Sequence, residues 1–244
     1  MKKSLSKFMV KFCAFTLAET LIVMGIIGIV SALTLPNLNS STGEKEKVAK
    51  VKKLYQNLTD AYGRMEAIYG PINEWTVGDS DGNVSSEFLE RMSEFMKVSK
   101  YCGTTNPDDC YYYDESGKKN TSLPTMVTAD GTGILVWATK NCSKLESTDV
   151  SATCGTILID IDGRSKGKNE DGYDKFSFSI LEDEGIVPRQ RQSKNYNSAT
   201  TCLGWKTACS GWVIDYGNMD YLKVNSQNKC PNGTVLNATV TSCK

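Results

Sequence analysis

Histidine is absent from this sequence of 244 residues. Its absence removes the side chain that most often serves as general base, proton shuttle and zinc ligand, and it excludes Ser-His-Asp and Cys-His hydrolases. The sequence also lacks a nucleophile elbow, a phosphate-cradling loop and a GxGxxG motif. Lysine- or carboxylate-based catalysis is not excluded, but no motif indicates a reaction. We therefore predict that the protein is not an enzyme.

The chain also lacks an excess of either charge, because 28 Lys and Arg residues balance 28 Asp and Glu residues. The first 14 residues contain Lys2, Lys3, Lys7 and Lys11 and no acid, so the rest of the chain has 28 − 4 = 24 basic residues against 28 acidic ones. The resulting net charge of about −4 argues against a strongly electrostatic nucleic-acid binder. No nucleic-acid partner is evident.

A long apolar run is present at residues 15–35, and Glu19 is its only charged residue. The run is close to the ~20 residues that a helix needs to cross a bilayer, and the lysines before it favour a cytoplasmic amino terminus. A carboxylate in hydrocarbon costs roughly 2.5 kcal/mol or more, and no basic residue lies nearby to pair with Glu19. An uncleaved signal anchor is one interpretation, and it leaves Glu19 unexplained.

The segment Ala14-Phe15-Thr16-Leu17-Ala18-Glu19 resembles the prepilin signature of type IV pilins and type II secretion pseudopilins. The resemblance implies that prepilin peptidase cuts between Ala14 and Phe15 and methylates the new amino terminus of Phe15. It also implies that Glu19 meets the amino terminus of a neighbouring subunit in a filament, and that Pro36 kinks the helix. Ala14 departs from the family pattern, which usually has glycine before the cut.

The resemblance implies a division of the chain into four parts. A cytoplasmic leader (1–14) is cleaved, a transmembrane and assembly helix follows (15–36), an amphipathic continuation comes next (37–70), and a periplasmic or extracellular α+β head ends the chain (71–244). The expected partners are other pilin or pseudopilin subunits, prepilin peptidase, the inner-membrane assembly platform and the membrane itself. The alternative is a membrane-anchored periplasmic binding or enzymatic domain that retains its signal anchor.

The expected location follows from the same resemblance. Before assembly, the subunit would span the inner membrane once, with its head in the periplasm. After assembly, it would belong to a pilus at the cell surface or to a periplasmic pseudopilus.

Cysteines indicate an oxidising compartment for the head. Of nine cysteines, Cys13 lies in the leader, so 9 − 1 = 8 remain, and an even number beyond an anchor is typical of disulfides. A zinc site is disfavoured because CxxC and histidine are both missing. Sequence order suggests local pairs, while other pairings stay open: Cys102 with Cys110, Cys142 with Cys154, Cys202 with Cys209, and Cys230 with Cys243.

Hydrophobic periodicity predicts helices first and strands later. An apolar stripe with steps of three and four predicts a helix that ends at Gly70-Pro71, and residues 87–98 predict a short second helix. Strands are predicted at 132–137, 156–161, 175–180 and 212–214. We therefore predict an α+β, pilin-like fold, in which a long N-terminal helix with a membrane half and an amphipathic half packs on an antiparallel sheet with disulfide-stapled loops. The stripe consists of Val48, Val51, Tyr55, Leu58, Tyr62, Met65 and Tyr69.

Four aspartates lie in the glycine-containing segment 160–176: Asp160, Asp162, Asp171 and Asp174. Oxygen-rich loops of this kind hold Ca²⁺ with carboxylates and backbone carbonyls, and the segment resembles the aspartate- and glycine-containing hairpin of large pilin-like proteins. The alternative is a solvated turn in which Asp and Gly supply tight backbone conformations. Calcium is therefore a candidate cofactor, although the expected function requires none.

Two further stretches have features of binding sites. Segment 79–90 has part of the EF-hand spacing, but Val84 stands where that loop requires glycine, so a helix start capped by Ser85 or Ser86 is the preferred interpretation. Segment 111–113 consists of three tyrosines, which either form a binding surface or pack on the head.

Overall fold

A computed structural model describes residues 16–76, 80–104, 110, 123–147, 149–163 and 166–244, without the side chains of 32–42, 81 and 82. The chain separates into two compact units, Met1–Gly43 and Glu44–Lys244. In chain order the longer elements are α1 (Leu17–Tyr69), α2 (Asp81–Ser93), β1 (Val98–Gly103), β2 (Thr125–Thr128), β3 (Gly133–Ser143), β4 (Thr153–Asp160), β5 (Lys175–Leu181), β6 (Gly185–Pro188), α3 (Ser198–Gly204) and α4 (Ser210–Tyr216). Single 3₁₀ turns lie at Ile72–Glu74, Lys206–Ala208 and Asp220–Leu222.

The second unit is built on one antiparallel sheet of six strands, and the strand order in the sheet is the order in the chain. Strands β3, β4 and β5 form its centre, where Ile157 of β4 lies opposite Val136 of β3 and Phe178 of β5. Alternation in β5 places Phe176, Phe178 and Ile180 on one face, as the period of a strand requires. This inner face of the sheet forms one side of the hydrophobic core.

Within this second unit, the part of α1 that begins at Glu44 supplies the other side of the core. Val51, Leu58 and Met65 are at most 1% exposed. Tyr55 stacks on Phe178 with ring centroids 5.5 Å apart and an angle of 9° between the rings. Gly70, at φ +75°, follows the last residue of α1, and a glycine in this conformation ends helices readily. The apolar stripe predicted from the sequence, and its end at Gly70-Pro71, are confirmed.

The outer face of the sheet is covered in part by the C-terminal segment. The Ser177 hydroxyl donates to the carbonyl of Thr207 at 2.9 Å, and the Ser210 hydroxyl donates to the carbonyl of Ser177 at 2.6 Å. β5 is therefore buried along its whole length. These bonds explain how small polar residues of a strand become buried without losing their hydrogen bonds.

Three of the four predicted strands are confirmed as parts of β3, β4 and β5, but the strand predicted at 212–214 is wrong. Those residues lie in helix α4, which ends at Gly217 with φ +67°. The short apolar run was too brief to distinguish strand from helix. The second helix also starts earlier than predicted, at Asp81, because the Ser80 side chain accepts a hydrogen bond from the Asn83 N–H and caps it.

The predicted fold class, a pilin-like α+β fold with a long N-terminal helix divided into a membrane half and an amphipathic half, is corrected by the structure. The organising element is the six-stranded antiparallel sheet, with helices around it. Helix α1 has 53 residues. Nowhere in the described residues does a helix combine the length and apolarity needed to cross a bilayer.

Candidate functional site

Glu19 lies in the first turn of α1, and its carboxylate is bonded to the residue just before the helix. Its Oε2 accepts hydrogen bonds from the backbone N–H of Thr16 at 3.0 Å and from the Thr16 hydroxyl at 2.9 Å, while the Glu19 N–H donates to Thr16 Oγ1 at 3.3 Å. This reciprocal pattern is a capping box, in which Thr and Glu three residues apart satisfy each other's backbone donors. The sequence contained this signal as Thr-x-x-Glu, and our interpretation of Glu19 as a carboxylate without a nearby partner missed it.

The helix segment after Glu19 exposes apolar side chains on every side. Leu17 is 81% exposed and Met24 is 72% exposed, and the aliphatic residues between Leu21 and Val30 are all more than half exposed. A helix that is apolar all round is normally buried, and large exposed apolar surfaces mark sites of interaction. Within its own unit, this segment is therefore a candidate assembly surface.

The structure describes only part of the remaining predicted processing and assembly site. Ala14 and Phe15, the two sides of the predicted cut, lie outside the described residues, as does the tyrosine segment 111–113. Pro36 falls within the span of α1, among the residues whose side chains are not described.

The aspartate loop follows β4 and brings two of its four aspartates, Asp162 and Asp174, to the same glycine. Asp162 and Asp174 both crowd Gly167, since a Cβ at Gly167 would lie 2.5 Å from Asp174 Oδ2 and 2.7 Å from Asp162 Oδ2. Gly167 has φ +68°, so both the space and the backbone conformation require glycine there. Asp171 faces elsewhere, because its Oδ2 accepts a hydrogen bond from the Thr207 hydroxyl at 3.0 Å.

The carboxylates of Asp174 and Asp160 accept hydrogen bonds from backbone N–H groups of the same loop. Asp174 accepts from the N–H groups of Lys168, Asn169 and Glu170 at 2.7 to 2.8 Å. Asp160 accepts from the N–H groups of Asp162 and Gly163 at 3.2 and 3.0 Å. This is the geometry of a tight, self-bonded turn. It differs from the solvated turn that was the alternative to the calcium site, because Asp160 and Asp174 are buried.

Two lysines of α1 reach the same loop. Lys47 Nζ forms an ion pair with Asp162 Oδ2 at 2.5 Å and lies 4.4 Å from the centre of the Tyr173 ring, and Lys50 Nζ donates to the carbonyl of Ile161. The helix therefore supplies ammonium groups beside the carboxylates, and sequence reasoning missed them because they are more than 100 residues away in the chain. Their only local signal is the i, i+3 spacing on one helix face.

Burial and charge act together on Asp160, which is 2% exposed. Burial first, and then the nearby charge of Asp174, raise the pKa of Asp160 to about 6. Across the described part of the chain, no three His, Cys, Asp or Glu side chains form a group that could hold a metal ion. Calcium binding by Asp160, Asp162, Asp171 and Asp174 stays a prediction.

The four cysteine pairs suggested by sequence order are all confirmed as disulfides: Cys102–Cys110, Cys142–Cys154, Cys202–Cys209 and Cys230–Cys243. Their sequence separations run from 7 to 13 residues, so each closes a short loop. Disulfides persist in oxidising compartments, which places this part of the chain outside the cytoplasm.

Comparison with models of known protein families, with curated proteins and with solved structures found no match.

Proposed function

We propose that this protein is a structural subunit of the prepilin type, cut between Ala14 and Phe15 and assembled into a type IV pilus or a type II secretion pseudopilus. The observation that supports this proposal is the order of features at the start of the chain. A basic leader and the Ala14–Glu19 signature stand directly before a helix segment whose apolar side chains are exposed on every side.

The exposed apolar segment supplies the surface for assembly. Once the subunit leaves the membrane, packing against neighbouring copies of the same segment would keep these apolar side chains out of water. Before assembly, the proposal places the subunit at the inner membrane with its disulfide-bonded part in the periplasm. After assembly, it places the subunit in the filament.

In this proposal, Glu19 determines how neighbouring subunits align along the filament. In the single chain its carboxylate bonds to Thr16, and in the filament it would meet the freed amino terminus of Phe15 from an adjacent copy. Opposite charges in apolar surroundings favour the one alignment in which they meet and penalise the others. The expected partners are further subunits, prepilin peptidase and the assembly platform.

The amino terminus distinguishes this proposal from the alternative, an anchored binding or enzymatic domain. Mass spectrometry of the protein from cells should find N-methylated Phe15 as the first residue. An intact Met1 on the functional protein would contradict the proposal and favour the retained anchor.

The assembly role of Glu19 is tested by Glu19→Ala, with Glu46→Ala as the matched control, since Glu46 is an exposed acid on the same helix. We expect the Glu19 variant to be made and to melt normally in its disulfide-bonded unit, but to be missing from sheared filament fractions. The Glu46 variant should be incorporated like the wild type. Equal incorporation of both variants would exclude the role of Glu19.

A further inference from the structure

Arg189, the residue after β6, is a half-buried cation on the outer side of the sheet. Its Nη1 donates a hydrogen bond to the Thr156 hydroxyl of β4, and its guanidinium carbon lies 5.2 Å from the centre of the Trp205 ring. The side chain therefore lies across the outer face of the sheet, between a strand hydroxyl and an indole.

No carboxylate of the described chain pairs with Arg189. Two other arginines have such partners: Arg64 with Asp60 at 3.0 Å and Arg91 with Glu87 at 2.7 Å. Burial lowers the pKa of Arg189, and no nearby acid acts against that effect. Its Nε is buried without a hydrogen-bond partner. An uncompensated cation of this kind is costly, and an anion from outside would relieve the cost.

Two partly exposed indoles belong to this region: Arg189 lies over the Trp205 ring, and Trp137 is the register partner of Thr156, to which Arg189 donates. Trp205 is 37% exposed. Trp137 of β3 is also partly exposed and lies directly opposite Thr156 in the β3–β4 register, so its side chain shares the face of Thr156. Tryptophan and arginine are among the residues most enriched at the few interface positions that contribute most of the binding free energy.

The backbone under this surface is fixed before any ligand arrives. The N–H of Arg189 donates to Ser210 Oγ at 3.3 Å, and the N–H of Gln190 donates to Ser179 Oγ at 3.4 Å. These bonds tie the segment after β6 to the sheet and to α4. A site held in this way loses little conformational entropy on binding.

We infer that the Arg189 surface, formed by Trp137, Thr156, Arg189 and Trp205, binds a carboxylate carried on a ring. The guanidinium fork matches a carboxylate in geometry and charge, and the ring of the ligand packs on an indole face. The same chemistry is found in uronic acids and in acids with an apolar ring. This binding site is independent of filament assembly.

The inference is tested by calorimetric titration of the full chain with D-glucuronate and with cyclohexanecarboxylate. D-glucose and cyclohexanecarboxamide provide the same rings without the charge. We expect saturable binding of at least one acid and none of its neutral counterpart. Binding of glucuronate alone would identify the ligand class as saccharide acids. Binding of cyclohexanecarboxylate alone would identify it as acids with an apolar ring. No binding of either acid, or equal binding of acid and neutral ring, overturns the inference.

Arg189→Gln should weaken binding of the acid at least tenfold, which is the range expected for a hydrogen bond to a charged group. Arg191→Gln is the matched control, because Arg191 is an exposed arginine in the same segment whose side chain lies over Tyr196 instead. Trp205→Ala, at a partly exposed position, should also weaken binding of the acid. It provides an independent test of the site if Arg189→Gln folds poorly. Wild-type affinity in both site variants would refute the assignment.

Discussion

Replacing Asp160 with asparagine is expected to stabilise the protein at neutral pH. Asp160 is 2% exposed, and its pKa is raised from 3.8 to about 6 by burial and by the charge of Asp174. Because the folded state holds the Asp160 proton more tightly than the unfolded state, the contribution of Asp160 to stability is greatest below pH 3.8 and is lost as the pH rises to about 6. At ~1.4 kcal/mol for each unit of pKa, the loss is about 3 kcal/mol.

Asparagine removes this charge and keeps the hydrogen bonds. Its side-chain oxygen can still accept from the N–H groups of Asp162 and Gly163, as Asp160 Oδ1 does. Near pH 4 the variant and the wild type should therefore have similar stability. Near pH 7 the variant should be more stable by an amount that approaches about 3 kcal/mol.

The assay is denaturant unfolding between pH 4 and 7 with disulfides intact and a chelator present. The difference in unfolding free energy between variant and wild type should grow with pH, and the growth should be complete above pH 6. Asp183→Asn, on the exposed turn between β5 and β6, controls for the loss of one negative charge. A difference that does not change with pH would refute the assignment of a raised pKa to Asp160.

Three other predictions concern the calcium site, the sheet and a disulfide. If the aspartate loop binds Ca²⁺, the wild type should gain about 2.7 kcal/mol at one hundred times the dissociation constant, and identical melting with Ca²⁺ and with chelator would exclude the site. Gly155→Ala should cost more than the ~1 to 3 kcal/mol of ordinary overpacking, because its Cβ would lie 2.3 Å from the Trp137 carbonyl oxygen. Gly204→Ala meets nothing within 4 Å and should unfold like the wild type. Replacing Cys142 and Cys154 together by serine opens a loop with a separation of 12 residues and should cost about 2 to 3 kcal/mol in denaturant unfolding.

Features encoded by neighbouring residues could be predicted from the sequence. The stripe from Val48 to Tyr69 predicted the helix face that is buried, and the alternation in 175–180 predicted a strand. Both are confirmed, although β5 is buried on both faces. The disulfides were predictable because each joins cysteines that follow one another in the chain. In these cases the partner or the periodicity lies within about a dozen residues.

Features that depend on distant contacts could not be predicted. Lys47 approaches Asp162 across 115 positions of the chain, and Arg189 approaches Thr156 across 33. No local pattern marks either pair. The strand predicted at 212–214 is a helix, α4, because three consecutive apolar residues fit the period of a strand and that of a helix equally well. Gly217, which ends the helix, is the local signal that could have identified it.

The fold-class prediction failed for a different reason. The first residues of the chain, which carry the resemblance, were used to infer the architecture of the whole protein. The described residues contain no membrane-spanning helix, and they are organised by a sheet of six strands. A resemblance confined to the first residues carries no information on the architecture of the rest, which is determined by the pairing of β1 to β6 later in the chain.

The strand order of the sheet has a consequence for biogenesis. Each strand from β2 to β6 pairs with the strand that precedes it in the chain, and each of the four disulfides among the described residues joins cysteines at most 13 residues apart. A polypeptide that leaves a translocation channel amino end first could therefore add one hairpin at a time and oxidise each cysteine pair as it emerges. Such a domain needs neither its last residues to begin folding nor an isomerase to exchange wrongly paired thiols.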